Sequence, residues 1–214
     1  IMNRDKSDAR FSFEFFPPRT EVGVEKLQTV HQELAALKPD FFSVTYGAGG
    51  STRDGTRQTV TAIKQAGSDV APHLSFGGSS KEEIAALLNS YKDMGITRLV
   101  ALRGDIPSGT GVASQYYYAN ELIEFVRKTT GDHFHIEVAC YPEIHPQSDS
   151  YDSDLKYFKL KVDAGANSGI TQYFYNADAY FYFVDACRKA GIEIPIVPGI
   201  MPITNFTSLQ RFSN

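Results

Sequence analysis

The stretch FSFEFFPPRT, residues 11–20, decides between two ways of folding this chain. Its first six residues form a short aromatic run that reads as a strand, and Pro17 and Pro18 end it. An open dinucleotide-binding sheet would place Gly-x-Gly-x-x-Gly directly after its first strand, so that backbone amides can approach a pyrophosphate. Here that position reads EFFPPRT, and the fingerprint is absent.

Working outward, further short apolar runs follow at 41–46, 70–76, 98–104, 135–141, 169–175 and 194–200. The segments between them carry helical patterns. Leu27, Val30, Leu34 and Leu37 are predicted to share one face of the first helix. Ser80 and Glu83 form a capping box ahead of Ile84, Leu87, Leu88 and Tyr91. Strand, helix and strand at this interval are the βα units of a parallel sheet. With the open sheet disfavoured, the expected fold is a (β/α)8 TIM barrel, read as a single catalytic domain over residues 1–214. Seven strands are legible where eight are needed and a typical barrel has about 250 residues. The expectation is therefore a barrel cut after its seventh strand, with the natural protein running on by about one or two βα units.

Composition limits the partners. The chain has 214 residues, 42% hydrophobic and 21% charged, enough apolar material for a sizeable core. A net charge of -4 argues against nucleic acid and against an anionic membrane surface, both of which call for a basic stripe. No run is apolar and long enough to span a bilayer, and the first residues lack a signal-peptide core, so a cytoplasmic protein is expected. Cys140 and Cys187 lack metal-ligand spacing and read as buried small hydrophobes.

In a barrel the chemistry sits at the C-terminal ends of the strands. Those positions hold Glu14, Thr45, His73, Arg103 with Asp105, Tyr141 with Glu143 and His145, and Gln172. Glu14 lies inside an aromatic run on a strand expected to have no free edge. Desolvation there should raise its pKa toward the range of a general acid. His73 and His145 lack ligand spacing, and no metal is expected. The tyrosines of QYYYAN, 115–120, read as a packed helix start, with one ring able to stack on a flat heterocycle.

The motifs SFEFFPPRT, SVTYGAGGS, APHLSF, ALRGDIP, YPEIHP, KVDAGANSGITQYFY and PGIMPITNF, in this order along almost the whole chain, closely resemble those of the bacterial methylenetetrahydrofolate reductases. The resemblance implies a barrel holding FAD without a covalent link. It implies a hydride taken from NADH or NADPH and passed to methylenetetrahydrofolate, giving methyltetrahydrofolate for methionine synthesis. Carried over position by position, Glu14 matches the general acid that protonates the folate nitrogen. Asp105 matches the acidic residue that stabilises the resulting cation and also lies against the flavin. Gln172 and Phe212 match substrate-contacting residues. Thr45, His73, Leu102, Arg103, Gly104, Tyr118, Ala119, Tyr141, His145, Asp154, Lys161 and Ile170 match FAD contacts. A homo-oligomer is expected. Ser208, Leu160 and FGGSS (76–80) depart from the family pattern.

Two competing readings have recognisable requirements. A flavin-free barrel lyase or aldolase would need a Schiff-base lysine or a metal cluster at a strand end, and Lys161 is helical by pattern. A non-catalytic flavin- or folate-binding barrel would have the pocket without the acid pair Glu14 and Asp105.

Overall fold

A computed structural model describes residues 10–46, 50–77, 79–103, 118–143 and 150–202. Seven strands alternate with six helices among them: β1 (Ser12–Phe15), α1 (Glu21–Ala35), β2 (Phe41–Val44), α2 (Gly50–Gln65), β3 (Val70–Leu74), α3 (Lys81–Asp93), β4 (Arg98–Ala101), α4 (Ala119–Thr130), β5 (His135–Cys140), α5 (Tyr151–Asp163), β6 (Ser168–Thr171), α6 (Ala177–Lys189) and β7 (Ile196–Val197). All neighbouring strands pair in parallel, in the order β1 to β7. A doubly wound sheet reverses its strand order, whereas this one never does, which is the topology of a barrel wall. The wall is curled and open. Its edges among the described residues are β1 and β7, so the expectation that β1 has no free edge is corrected: it pairs with β2 alone.

Alternation along each strand sorts side chains between two layers. Phe42, Val44, Val70, Leu74, Leu99, Ala101, Ile136, Val138 and Cys140 turn outward into the main core, which the helices cover. Phe41, Ala71, Val100 and Leu102 turn inward and form a smaller cluster in the barrel interior. Each buried large side chain is worth about 1.5–3 kcal/mol against exposure, and the outer layer supplies most of them. Cys140 and Cys187 are both buried and unbridged, in keeping with a packing role.

Local signals fix the helix starts. Thr20, after the two prolines, caps α1 by accepting from the Gly23 amide at 3.1 Å. The capping box at Ser80 and Glu83 is present, and Ile84, Leu88 and Tyr91 are buried behind it. In α1, Leu27, Val30 and Leu34 are half-buried, but Leu37 falls beyond the helix end and is 59% exposed; His31 is the residue that face buries. The helical period extrapolates past Ala36, where the chain turns through Lys38 at φ 58° to reach β2.

Candidate active site at the C-terminal strand ends

Glu14 belongs to the inward set. Its strand partner is Ser43 on β2, and Phe13 and Phe15 on either side pack against the outer core. Parallel strands in a barrel are staggered, so the inward residue level with Glu14 two strands away is His73 on β3 rather than its register partner. His73 Nε2 lies 3.3 Å from Glu14 Oε2. This is ion-pair distance without the alignment of a well-formed hydrogen bond, and among the described residues Nε2 has no other partner. The His73 side chain is 8% exposed and that of Glu14 is 51% exposed, so a buried imidazole backs a carboxyl group that opens to the cleft.

The electrostatics of Glu14 correct the sequence expectation. Partial burial does push its pKa up, and this is the largest single influence. The close approach of His73 Nε2, the charge of its ring and a hydrogen bond from the Ser43 hydroxyl together outweigh it, so the pKa lies below the ordinary carboxyl value. The aromatic neighbours in the sequence pointed to desolvation. They face the other side of the sheet, and the partners that matter come from β2 and β3.

The other expected residues fall into three groups. Thr45 follows β2, donates its amide to the Phe15 carbonyl at 2.9 Å and lies beside the Glu14 end of the sheet. Leu102 belongs to the interior cluster; Ile170 is on β6, and Tyr141 follows β5. Gln172, just past β6, is exposed, donates its amide to the Cys140 carbonyl and folds its Oε1 back onto the Tyr173 amide. These residues share the same end of the sheet. A second group forms the rim: Tyr118 and Ala119 open α4, the Arg103 guanidinium lies 5.2 Å from the Tyr118 ring centre, and Tyr118 runs near-parallel to Tyr157 with centres 6.4 Å apart. Asp154 sits in the first turn of α5, and Lys161, in its last turn, donates to the Ala139 carbonyl of β5. Gly104, Asp105, His145 and Phe212 lie outside the described residues.

A further charged group sits deeper in the barrel. Glu137 on β5 is buried, with Oε1 3.2 Å from Arg98 Nη1 of β4, while Oε2 is buried without a well-formed hydrogen bond. His135 Nε2 lies 3.0 Å from the Ser168 hydroxyl beside it. Burial raises the Glu137 pKa to about 7, against the opposing influence of Arg98 and Ser168. Burial, then the nearby arginines, hold His135 below its usual value. This cluster does not stand out in the sequence, although HIEVAC carries its signal: two polar residues two apart, with the apolar Ile136 between them. Among the described residues no group of three or more His, Cys, Asp or Glu is placed to hold a metal ion, and no helix is long and apolar enough to cross a membrane.

A parallel barrel wall with a paired carboxyl group at its catalytic end can be compared with known proteins. The sequence profile of the family described as methylenetetrahydrofolate reductase matches residues 1–214. The chain belongs to the methylenetetrahydrofolate reductase family. It is 45% identical over 203 residues to the 5,10-methylenetetrahydrofolate reductase of Pectobacterium carotovorum, covering 94% of this chain and 67% of that protein. It is 42% identical over 204 residues to the Escherichia coli enzyme of that name, covering 95% and 68%. An Arabidopsis thaliana relative named methylenetetrahydrofolate reductase (NADH) 1 is 40% identical over 223 residues, 98% of this chain and 38% of that one. Among solved structures, a Clostridium thermocellum protein described as binding two copies of 5-methyl-5,6,7,8-tetrahydrofolic acid superposes with a TM-score of 0.61 at 16% identity, over 88% of this chain and 65% of that chain. A 2,3-dimethylmalate lyase superposes at 0.60 with 11% identity, over 96% and 79%. At such identities these two neighbours establish the barrel fold alone.

Proposed function

We propose that the protein to which this chain belongs reduces 5,10-methylenetetrahydrofolate to 5-methyltetrahydrofolate, with FAD as the bound cofactor and NADH or NADPH as the hydride donor, in the cytoplasm. Family membership supports the reaction. The observation that carries the assignment of its acid is the Glu14 carboxyl group, presented to the cleft on one side and held by His73 and Ser43 on the other.

The rim residues suit a flat heterocycle carrying phosphates. Tyr118 and Tyr157 are each about half exposed, their rings are near-parallel, and the Arg103 guanidinium stands over one of them. Leu102, Ile170 and Thr45 would line the inner part of such a site, with Tyr141 and Lys161 behind it. FAD, when bound, supplies the hydride that completes the reduction.

This chain's residues have the proton chemistry and the positioning to do. Glu14 delivers a proton to the folate nitrogen that carries the bridging methylene, and the ring opens to an iminium cation. Asp105, on the family pattern, stabilises that positive charge. The exposed Gln172 amide, able both to donate and to accept, suits the amide-like edges of a pterin. Glu14→Gln tests the assignment. Flavin reduction by the nicotinamide should survive nearly intact, while folate reduction slows by about 100- to 10,000-fold, the contribution of a general acid. Equal loss in both half-reactions would remove Glu14 from this role.

A further inference from the structure

The Glu14 carboxyl group opens to the cleft, yet its Oε2 stands 3.3 Å from a buried imidazole on a strand that does not pair with β1. His73 is 7% exposed and occupies the centre of the wall. Among the described residues its Nε2 has no acceptor other than Glu14, and beside the ionised carboxylate that nitrogen carries the proton, because a bare ring nitrogen there would be repulsive. Ser43 reaches the same carboxyl group from the intervening strand. Among the described residues, His73 is the one titratable group acting on Glu14, and Ser43 is the one neutral donor.

We propose that His73 is a positioning residue for the reaction: its Nε2–H holds the Glu14 carboxyl group against the wall and stabilises the carboxylate left when Glu14 gives up its proton. The inference rests on the reading of Glu14 as the acid. The proton goes from Glu14 to the substrate nitrogen, the new carboxylate oxygen accepts from Nε2–H, and the imidazole keeps its own proton. A proton from the bulk solvent then returns to Glu14, which restores the starting state. Such an acid is stronger than a solvated glutamic acid and is protonated in a smaller share of molecules at neutral pH, so the donor from His73 favours the proton's departure rather than its retention. Ser43 shares the work as a neutral donor that survives at any pH.

The test reads the carboxyl group directly, without substrate. Full-length protein carrying 13C at the glutamate side-chain carboxyls is titrated by NMR, and Glu14→Gln identifies the resonance. His73→Leu should move the Glu14 midpoint up by about one pH unit, through loss of an N–H donated to the charged form of the carboxyl group. His73→Gln places an amide N–H near the Nε2 position and should hold the midpoint down; His73→Asn, too short to reach, should behave like His73→Leu. Ser43→Ala should give a smaller rise. If His73→Leu does not fold, the comparison of His73→Asn with His73→Gln carries the result. An unchanged midpoint in the leucine and asparagine variants overturns the proposal, and so does an equal rise in the glutamine variant. A Glu14→Gln enzyme with unimpaired folate reduction would remove the acid reading and leave the titration standing, so the two failures are distinguishable.

Discussion

Glu137→Gln should abolish a pH dependence of stability that runs opposite to ordinary acid denaturation. Glu137 is buried in the barrel interior with one oxygen on Arg98 and the other without a well-formed hydrogen bond, and its pKa is raised from 4.5 to about 7. A carboxyl group in the unfolded chain releases its proton near pH 4.5; in the folded chain it keeps it until about pH 7. Between those values the folded state binds more protons, so stability falls as pH rises through the window and the loss is complete above it. Two and a half pH units at 1.36 kcal/mol each set the full effect at about 3 kcal/mol. Glutamine keeps the size and polarity of the side chain without the titration. Urea unfolding of parent and variant from pH 5 to 8 checks this. The variant should gain on the parent as pH rises, by about 1–3 kcal/mol at pH 8 over the difference at pH 5. His31 and His135, held below their usual values by burial, cost stability as pH falls below 6.5. The cost of His31 is shared by both proteins and cancels in the difference, whereas His135 Nε2, 3.9 Å from Glu137 Oε1, is coupled to the mutated group, so the comparison is read from pH 7 to 8 as well as across the whole range. A difference that is flat with pH, or that grows toward low pH, would refute the assignment of a neutral buried acid.

Gly169→Ala should destabilise the barrel by about 1–3 kcal/mol in the same unfolding assay, because an added Cβ would stand 2.8 Å from Phe158 Cζ and 3.2 Å from Cys140 Sγ in the packed outer layer. Arg127→Met should cost about 2–4 kcal/mol, since the guanidinium donates to the carbonyls of Gly131, Phe134 and Gly165 and to Asn167 Oδ1, tying α4 to the starts of β5 and β6.

The order of the fold was legible because each strand reads as its own apolar run and the starts of α1, α3, α5 and α6 carry a capping residue. All seven runs became strands, shorter than the runs themselves: FSFEFF yields Ser12–Phe15, and the run at 194–200 yields only Ile196–Val197. Most of the excess residues follow their strands and leave the ladder to build the loops at the C-terminal end of the sheet. Within the site, Glu14 and His73 could each be picked out as strand-end residues. Their contact could not, because it depends on the stagger between β1 and β3, which a strand's own sequence does not carry. The same limit explains the reversed direction of the Glu14 pKa. Glu137 and His135 were hidden for a different reason: they sit at the start of their strand, away from the end where function is sought.

The central claim is that this family member reduces a folate through FAD, and the visible spectrum of the full-length protein tests it most directly. The protein should purify yellow. Under anaerobic conditions NADH or NADPH should bleach the oxidised-flavin bands, and added methylenetetrahydrofolate should restore them. A protein that takes up no flavin, or whose reduced flavin is not reoxidised by methylenetetrahydrofolate, would contradict the account.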